Sequence, residues 1–180
     1  MKQLHIITPV KDSIELTLQT IESILSSDFT VPYHYCVYND FSTDENTVRL
    51  REASEKMGFE LINLSDLTDH PSPNYLLILQ TAQQKAIAAD AGLLIVESDV
   101  IVKKHTLQSL FDGALTRPDC GIAAAVTVDE QENINYPYLY AKGKEGKVFP
   151  EKKHLSFCCS LLTVSFLKAF DFHQLDPEKN

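Results

Sequence analysis

Short apolar runs alternate with helix-periodic segments along the first 130 residues, and this alternation restricts the chain to βαβ units around a mostly parallel sheet. Residues 4–8 form a compact apolar run closed by Pro9, a buried strand. Asp12, Ser13, Ile14 and Glu15 then have capping-box spacing, and Ile14, Leu18, Ile21 and Leu25 lie on one helical face. A second strand fits 33–38. Ser42 and Glu45 repeat the capping-box spacing and open a helix that runs to Met57 and stops at Gly58. A third strand fits 59–64, a loop 65–73 and a helix 75–91. Residues 93–97 read as a central strand, 106–115 as a helix and 121–128 as a further strand. After Asp129 the periodicity stops: 130–154 read as an irregular or hairpin-bearing excursion. An apolar segment at 155–164 and a short helix near 166–170 follow.

Composition narrows the function. A chain of 180 residues fits one domain with a sizeable core, and 44% hydrophobic with 23% charged residues is the balance of an ordered globular protein. The formal charge of −9 argues against a nucleic-acid surface, which needs clustered Lys and Arg. A nucleotide ligand is still allowed. No signal-peptide pattern opens the chain, and no apolar stretch approaches the ~20 residues of a membrane span. The expected location is cytoplasmic, at the inner face of the membrane in a longer parent. Cys36, Cys120, Cys158 and Cys159 make no Cys-x-x-Cys pair; the neighbouring Cys158 and Cys159 have two readings, redox work or two small buried residues in an apolar segment. The six histidines show no i, i+4 pair and read as non-ligands.

Ligands of open parallel sheets sit beyond the carboxyl ends of the strands. Three polar clusters fall there: Thr8-Pro9, Asn39-Asp40 and Glu97-Ser98-Asp99. Asp40 has two readings, an acceptor for a base-edge N–H or a turn residue. Glu97, Ser98 and Asp99 also have two: oxygen ligands for Mg²⁺ or Mn²⁺ against a diphosphate, or a polar turn. Tyr136, Tyr138 and Tyr140 alternate as a strand face does, either to stack on a sugar or to pack a hairpin.

The runs Ile6-Ile7-Thr8-Pro9-Val10, Val37-Tyr38-Asn39-Asp40-Phe41-Ser42-Thr43-Asp44 and Leu94-Ile95-Val96-Glu97-Ser98-Asp99-Val100 together resemble family 2 glycosyltransferases in order and spacing. The segment Gln84-Lys85-Ala86-Ile87-Ala88-Ala89 stands where that family has an Asn-Arg-Gly helix. The resemblance implies a GT-A-like three-layer α/β/α sandwich with a mostly parallel central sheet and a single domain over 1–180. Residues 1–129 would form the nucleotide-sugar-binding half and 130–180 the incomplete start of the acceptor side. It also implies a nucleoside-diphosphate sugar (a UDP-sugar foremost), a saccharide or lipid-linked acceptor, and Mg²⁺ or Mn²⁺. By motif, Thr8 and Pro9 line the nucleotide pocket, Asn39 and Asp40 serve the base, Glu97 and Ser98 lie near the ribose or sugar, and Asp99 ligates the metal. Asn39, Phe41, Ala86 and Glu97 depart from the family pattern at an Asp, a Gly, a Gly and an Asp. Leu175-Asp176-Pro177-Glu178 resembles the turn that precedes the family's general base, which is expected beyond Asn180.

Two other classes stand beside this one. A non-catalytic nucleotide-sugar-binding module fits the departures, whereas the acid at Asp99 speaks for a metal site. Nucleotidyltransferases, receivers and Walker-type P-loops are excluded by the glycine-free Thr8-Pro9-Val10-Lys11 turn and the lack of acids after the first strand.

Overall fold

The computed structural model describes residues 1–151 and 154–175. Its centre is a six-stranded sheet of β1 (Leu4–Val10), β2 (Tyr33–Asn39), β3 (Glu60–Asn63), β4 (Gly92–Val96), β5 (Ile122–Ala124) and β6 (Cys159–Leu162), in the order β3-β2-β1-β4-β6-β5. The first four run parallel; β6 enters antiparallel between β4 and β5. Helices α1 (Ile14–Leu25), α2 (Asp44–Met57) and α4 (Thr106–Leu115) cover one face, and α3 (Tyr75–Ala88) and α5 (Val164–Ala169) the other. This is the expected three-layer α/β/α sandwich.

Both faces of the sheet are apolar because both are covered. Leu4, Ile6 and Val10 of β1 pack with Ile21 and Ile24 of α1 and Leu50 of α2, while Ile7 packs with Ile78, Leu79 and Ala82 of α3. Each such fully buried Leu or Ile contributes about 1.5–3 kcal/mol. Strands buried on both sides therefore read as continuous apolar runs rather than as alternation.

Several boundaries differ from the sequence expectation, each for a physical reason. Pro9 does not end β1. The amide of Leu4 and the carbonyl of Val10 both bond toward β2, so even-numbered residues face β2 and Pro9 faces β4. Pairing with β4 stops at Ile7, so the amide hydrogen that Pro9 lacks is not needed there. The capping box at Asp12 does not form either. Asp12 and Ser13 are left-handed (φ 56° and 48°), Ser13 makes no side-chain cap, and Glu15 pairs instead with Arg49 of α2 at 2.7 Å. α2 is capped by Thr43, one residue later than expected, and ends as expected at left-handed Gly58.

β5 is shorter than its apolar run. Beyond Ala125 the chain turns back on itself: Asp129 accepts the amides of Gln131 and Asn133, and Val128 bridges Ile134. The alternating tyrosines form no strand face. Tyr138–Ala141 is a 3-10 turn that buries Tyr138, whose hydroxyl accepts from the Ser156 amide and donates to its carbonyl, while Tyr136 is left 84% exposed. The turn expected from Asp176 onward lies outside the described residues. Among the described residues no helix is long and apolar enough to cross a membrane.

Candidate functional site at the carboxyl end of the sheet

The chain leaves β1 toward β2 and β3 on one side and later returns to β4 on the other. The boundary between β1 and β4 is thus a topological switch point, where a crevice opens because successive loops diverge. β1 outruns its pairing with β4, which covers only Leu4 to Ile7 of its length. Pro9 and Val10 therefore border the switch point on one side, and Glu97, Ser98 and Asp99 follow β4 on the other.

The loop after β2 is held from within. The Asn39 amide group donates to Thr47 (2.9 Å) and Asn63 (3.0 Å), and its side-chain oxygen accepts the Ser42 amide (3.2 Å). Phe41 sits at φ 56° in the bend so formed. A left-handed position favours glycine, which is the residue the resembling family has there, so Phe41 keeps the bend at a cost of about 1–2 kcal/mol.

Asp40 is buried, and its carboxylate ties down a second loop. Oδ2 accepts from the Ser72 hydroxyl (2.7 Å) and the Asn74 amide (2.9 Å), and Oδ1 accepts from the Asn74 side chain (2.8 Å). A carboxylate offers about four acceptor positions, so about one is left for another donor.

Asp12 joins the loop after β1 to the same structure. Its Oδ1 accepts the Thr43 amide (2.8 Å) and the Asn46 side chain (3.0 Å), and its own amide donates to Ser42 (2.8 Å). The Thr43 amide, ahead of Asn46, holds the Asp12 carboxyl below its ordinary pKa. Lys11, at the end of β1, donates to the Phe41 carbonyl and lies 3.9 Å from Asp12.

Beyond β4 the two acids differ. Glu97 is half-buried and accepts the Tyr75 hydroxyl at 2.9 Å. Burial raises its pKa, the Tyr75 bond partly opposes this, and Asp99 adds to the rise. Burial, with Glu97 beside it, also raises the pKa of the Tyr75 phenol. Ser98 is half-buried and Asp99 exposed, with no side-chain partner for Asp99 among the described residues. An exposed, unengaged carboxylate beside a second carboxyl suits a hard divalent cation, which takes oxygen ligands and keeps several waters.

Of the expected site residues, Pro9, Asp40, Glu97, Ser98 and Asp99 lie at this end of the sheet. Asn39 supports the site from beneath. Thr8 is fully buried, and its hydroxyl bonds to that of Tyr35 at 2.9 Å, on the face shared with Ile6 and Val10. Sequence reasoning missed Ser72, Asn74 and Tyr75. Their one signal is polar residues just ahead of the α3 pattern, and Asn74 uses its side chain on Asp40 and on the His70 carbonyl rather than as a cap.

No protein-family model matches the chain, and no curated protein matches it. Solved structures do. S. aureus TarS 1-349 in complex with UDP-GlcNAc aligns at TM-score 0.60 and 18% identity, over 94% of this chain and 47% of that one. Glucosyl-3-phosphoglycerate synthase from Mycobacterium tuberculosis in complex with UDP aligns at 0.56 and 17%, over 91% and 57%. The mannosyltransferase PcManGT from Pyrobaculum calidifontis, in complex with GDP-Man and Mn²⁺, aligns at 0.53 and 16%, over 73% and 36%. The chain shares the GT-A fold of these glycosyltransferases and spans less than two thirds of the length of each.

Proposed function

We propose that the chain is the donor-binding part of a family 2 glycosyltransferase, which acts in the cytoplasm on a nucleoside-diphosphate sugar. The observation that carries this reading is Asp99: an exposed acid with no side-chain partner among the described residues, directly after β4 at the switch point. The nucleotides bound by TarS, the synthase and the mannosyltransferase support a donor of the same kind. Residues 1–129 form the donor half in this reading, and 130–180 begin the acceptor side.

Each residue has a task that its surroundings allow. The free acceptor position of Asp40 takes a ring N–H of the base, with uracil the foremost candidate. Pro9 forms a wall of the nucleotide pocket, while Thr8 and Asn39 hold the strand and bend that shape it. Glu97 and Ser98 face the ribose or sugar, with Glu97 steadied by Tyr75. Asp99 holds Mg²⁺ or Mn²⁺, and the bound ion supplies charge stabilisation for the departing diphosphate.

In the reaction, a saccharide or lipid-linked acceptor hydroxyl forms a bond to the anomeric carbon with inversion. The bond from that carbon to the diphosphate oxygen breaks, and the hydroxyl proton passes to a general base. No such base is assigned among the described residues. A second reading, a module that binds donor without turnover, is favoured by Phe41, at φ 56°, and Ala86, which stand where the resembling family has glycine.

Calorimetric titration of UDP and GDP, with and without Mn²⁺, tests the proposal. Metal-enhanced binding of one nucleotide supports it. A folded protein that binds neither contradicts it. Sugar release from the donor to added saccharide acceptors then separates turnover from binding alone.

A further inference from the structure

At the other end of the sheet the strand register assembles a polar cluster that the donor site does not use. β1 and β2 pair with His5 opposite His34, and β2 and β3 pair with Cys36 opposite Glu60. The two imidazoles stack with centroids 5.5 Å apart. One donor atom from each of His5, His34 and Cys36 lies within 4.8 Å of the others. Glu60 joins them: its Oε2 is 2.6 Å from His34 Nε2 and 2.9 Å from Cys36 Sγ, and its Oε1 accepts from Lys85 at 3.2 Å.

We propose that His5, His34 and Cys36, with Glu60 as the fourth ligand, form a binding site for a Zn²⁺-class divalent ion at the amino-terminal end of the sheet.

Two features support this beyond proximity. His5 is only 4% exposed, and its Nε2 is buried with no hydrogen-bond partner among the described residues, a costly state for a polar atom. Access also exists. A concavity of about 480 Å³, lined by Gln3, His5, His34, Lys85, Ala88 and Ala89, opens on the cluster, and His34 forms part of its exposed rim.

The ligand set selects the ion. Two imidazoles, a thiolate and a carboxylate in four-coordinate geometry suit Zn²⁺, at about 2.0–2.3 Å per ligand. In a tetrahedron of that size the ligand atoms stand about 3.5 Å apart, so the contacts of Glu60 with His34 and Cys36 would open to that distance while the His5, His34 and Cys36 atoms gather to it. Binding breaks the Cys36 S–H bond: the sulfur keeps the electron pair for the metal and the proton leaves to solvent. The ion's two positive charges meet one negative charge each from the thiolate and Glu60, and the Lys85 ammonium beside Glu60 leaves the site with one net positive charge.

The site stands apart from the donor site and does not depend on the proposed function. It is tested with chelator-treated Asp99→Ala protein, so that the acid proposed for the donor metal takes no part. Co²⁺ is titrated as a spectroscopic probe, and Zn²⁺ by calorimetry. The expected result is one equivalent of Co²⁺ with a sulfur-to-cobalt charge-transfer band. Cys36→Ser removes that band. His34→Ala, at an exposed ring, weakens Zn²⁺ binding by at least the about 10- to 100-fold that loss of a ligand's supporting partner costs, with an unchanged circular dichroism spectrum. A folded protein without the band overturns the proposal. So does a band that survives Cys36→Ser, or Zn²⁺ binding indifferent to His34→Ala.

Discussion

At the carboxyl end of the sheet the polar groups come from loops and, with Asn39, from a strand's last residue, whereas at the amino end His5, His34 and Cys36 come from within the strands. The loop groups are largely satisfied by one another: Asp12 by Thr43 and Asn46, Asn39 by Ser42, Thr47 and Asn63, Asp40 by Ser72 and Asn74. Asp99 stands outside that network. The strand groups are brought together by register and leave one buried nitrogen without a partner among the described residues. Loops can thus spread the work, with some acids holding the frame and Asp99 left unengaged by it. A strand cluster has no such freedom, because each residue's place follows from the pairing of the next.

This division of labour among the acids can be broken by mutation. Asp40→Ala should have the largest effect, since it strands the buried donors of Ser72 and Asn74. A loss of about 3 kcal/mol in urea unfolding is expected; a loss under about 1 kcal/mol would show that the carboxylate does not hold the loop. Phe41→Gly should stay within about 1 kcal/mol of the parent, because relief of the left-handed bend offsets the loss of the ring's packing on the α3 face. Asp99→Ala should change stability by less than about 0.5 kcal/mol. A larger loss would place Asp99 in the frame with Asp40.

Acid titration sharpens the same contrast. The folded pKa of Asp12 lies below its unfolded value because of the Thr43 amide and the Asn46 side chain. Its contribution is therefore present above the ordinary carboxylate range and is lost as pH falls through the depressed folded value. Asp12→Asn should flatten that part of the stability curve relative to the parent. Parallel acid limbs in denaturant midpoints against pH would contradict the cross-loop bond.

The sequence made the carboxyl end legible because an apolar run followed by polar residues marks a strand end whatever the partner strands are. β2 and β4 were placed within a residue in this way, and α4 without error, and the parallel sheet followed from their alternation. Pro9 was misread because its effect depends on which neighbour its missing amide faces, and that is a property of the sheet. Asp12 was misread because its carboxylate found a helix start 31 residues away, at Thr43, rather than its own. The partners of Asp40 lie 32 and 34 residues away across two loops. The histidines looked scattered because i, i+4 spacing detects ligands on one helix, whereas His5 and His34 meet only through the pairing of β1 with β2.

The central claim is that Asp99, not Asp40, is the acid left for the donor's metal. Titrating UDP into the parent and Asp99→Ala proteins, each with and without Mn²⁺, measures it directly. The account predicts that Mn²⁺ strengthens binding to the parent and leaves binding to Asp99→Ala unchanged. An equal Mn²⁺ enhancement in both proteins would contradict it.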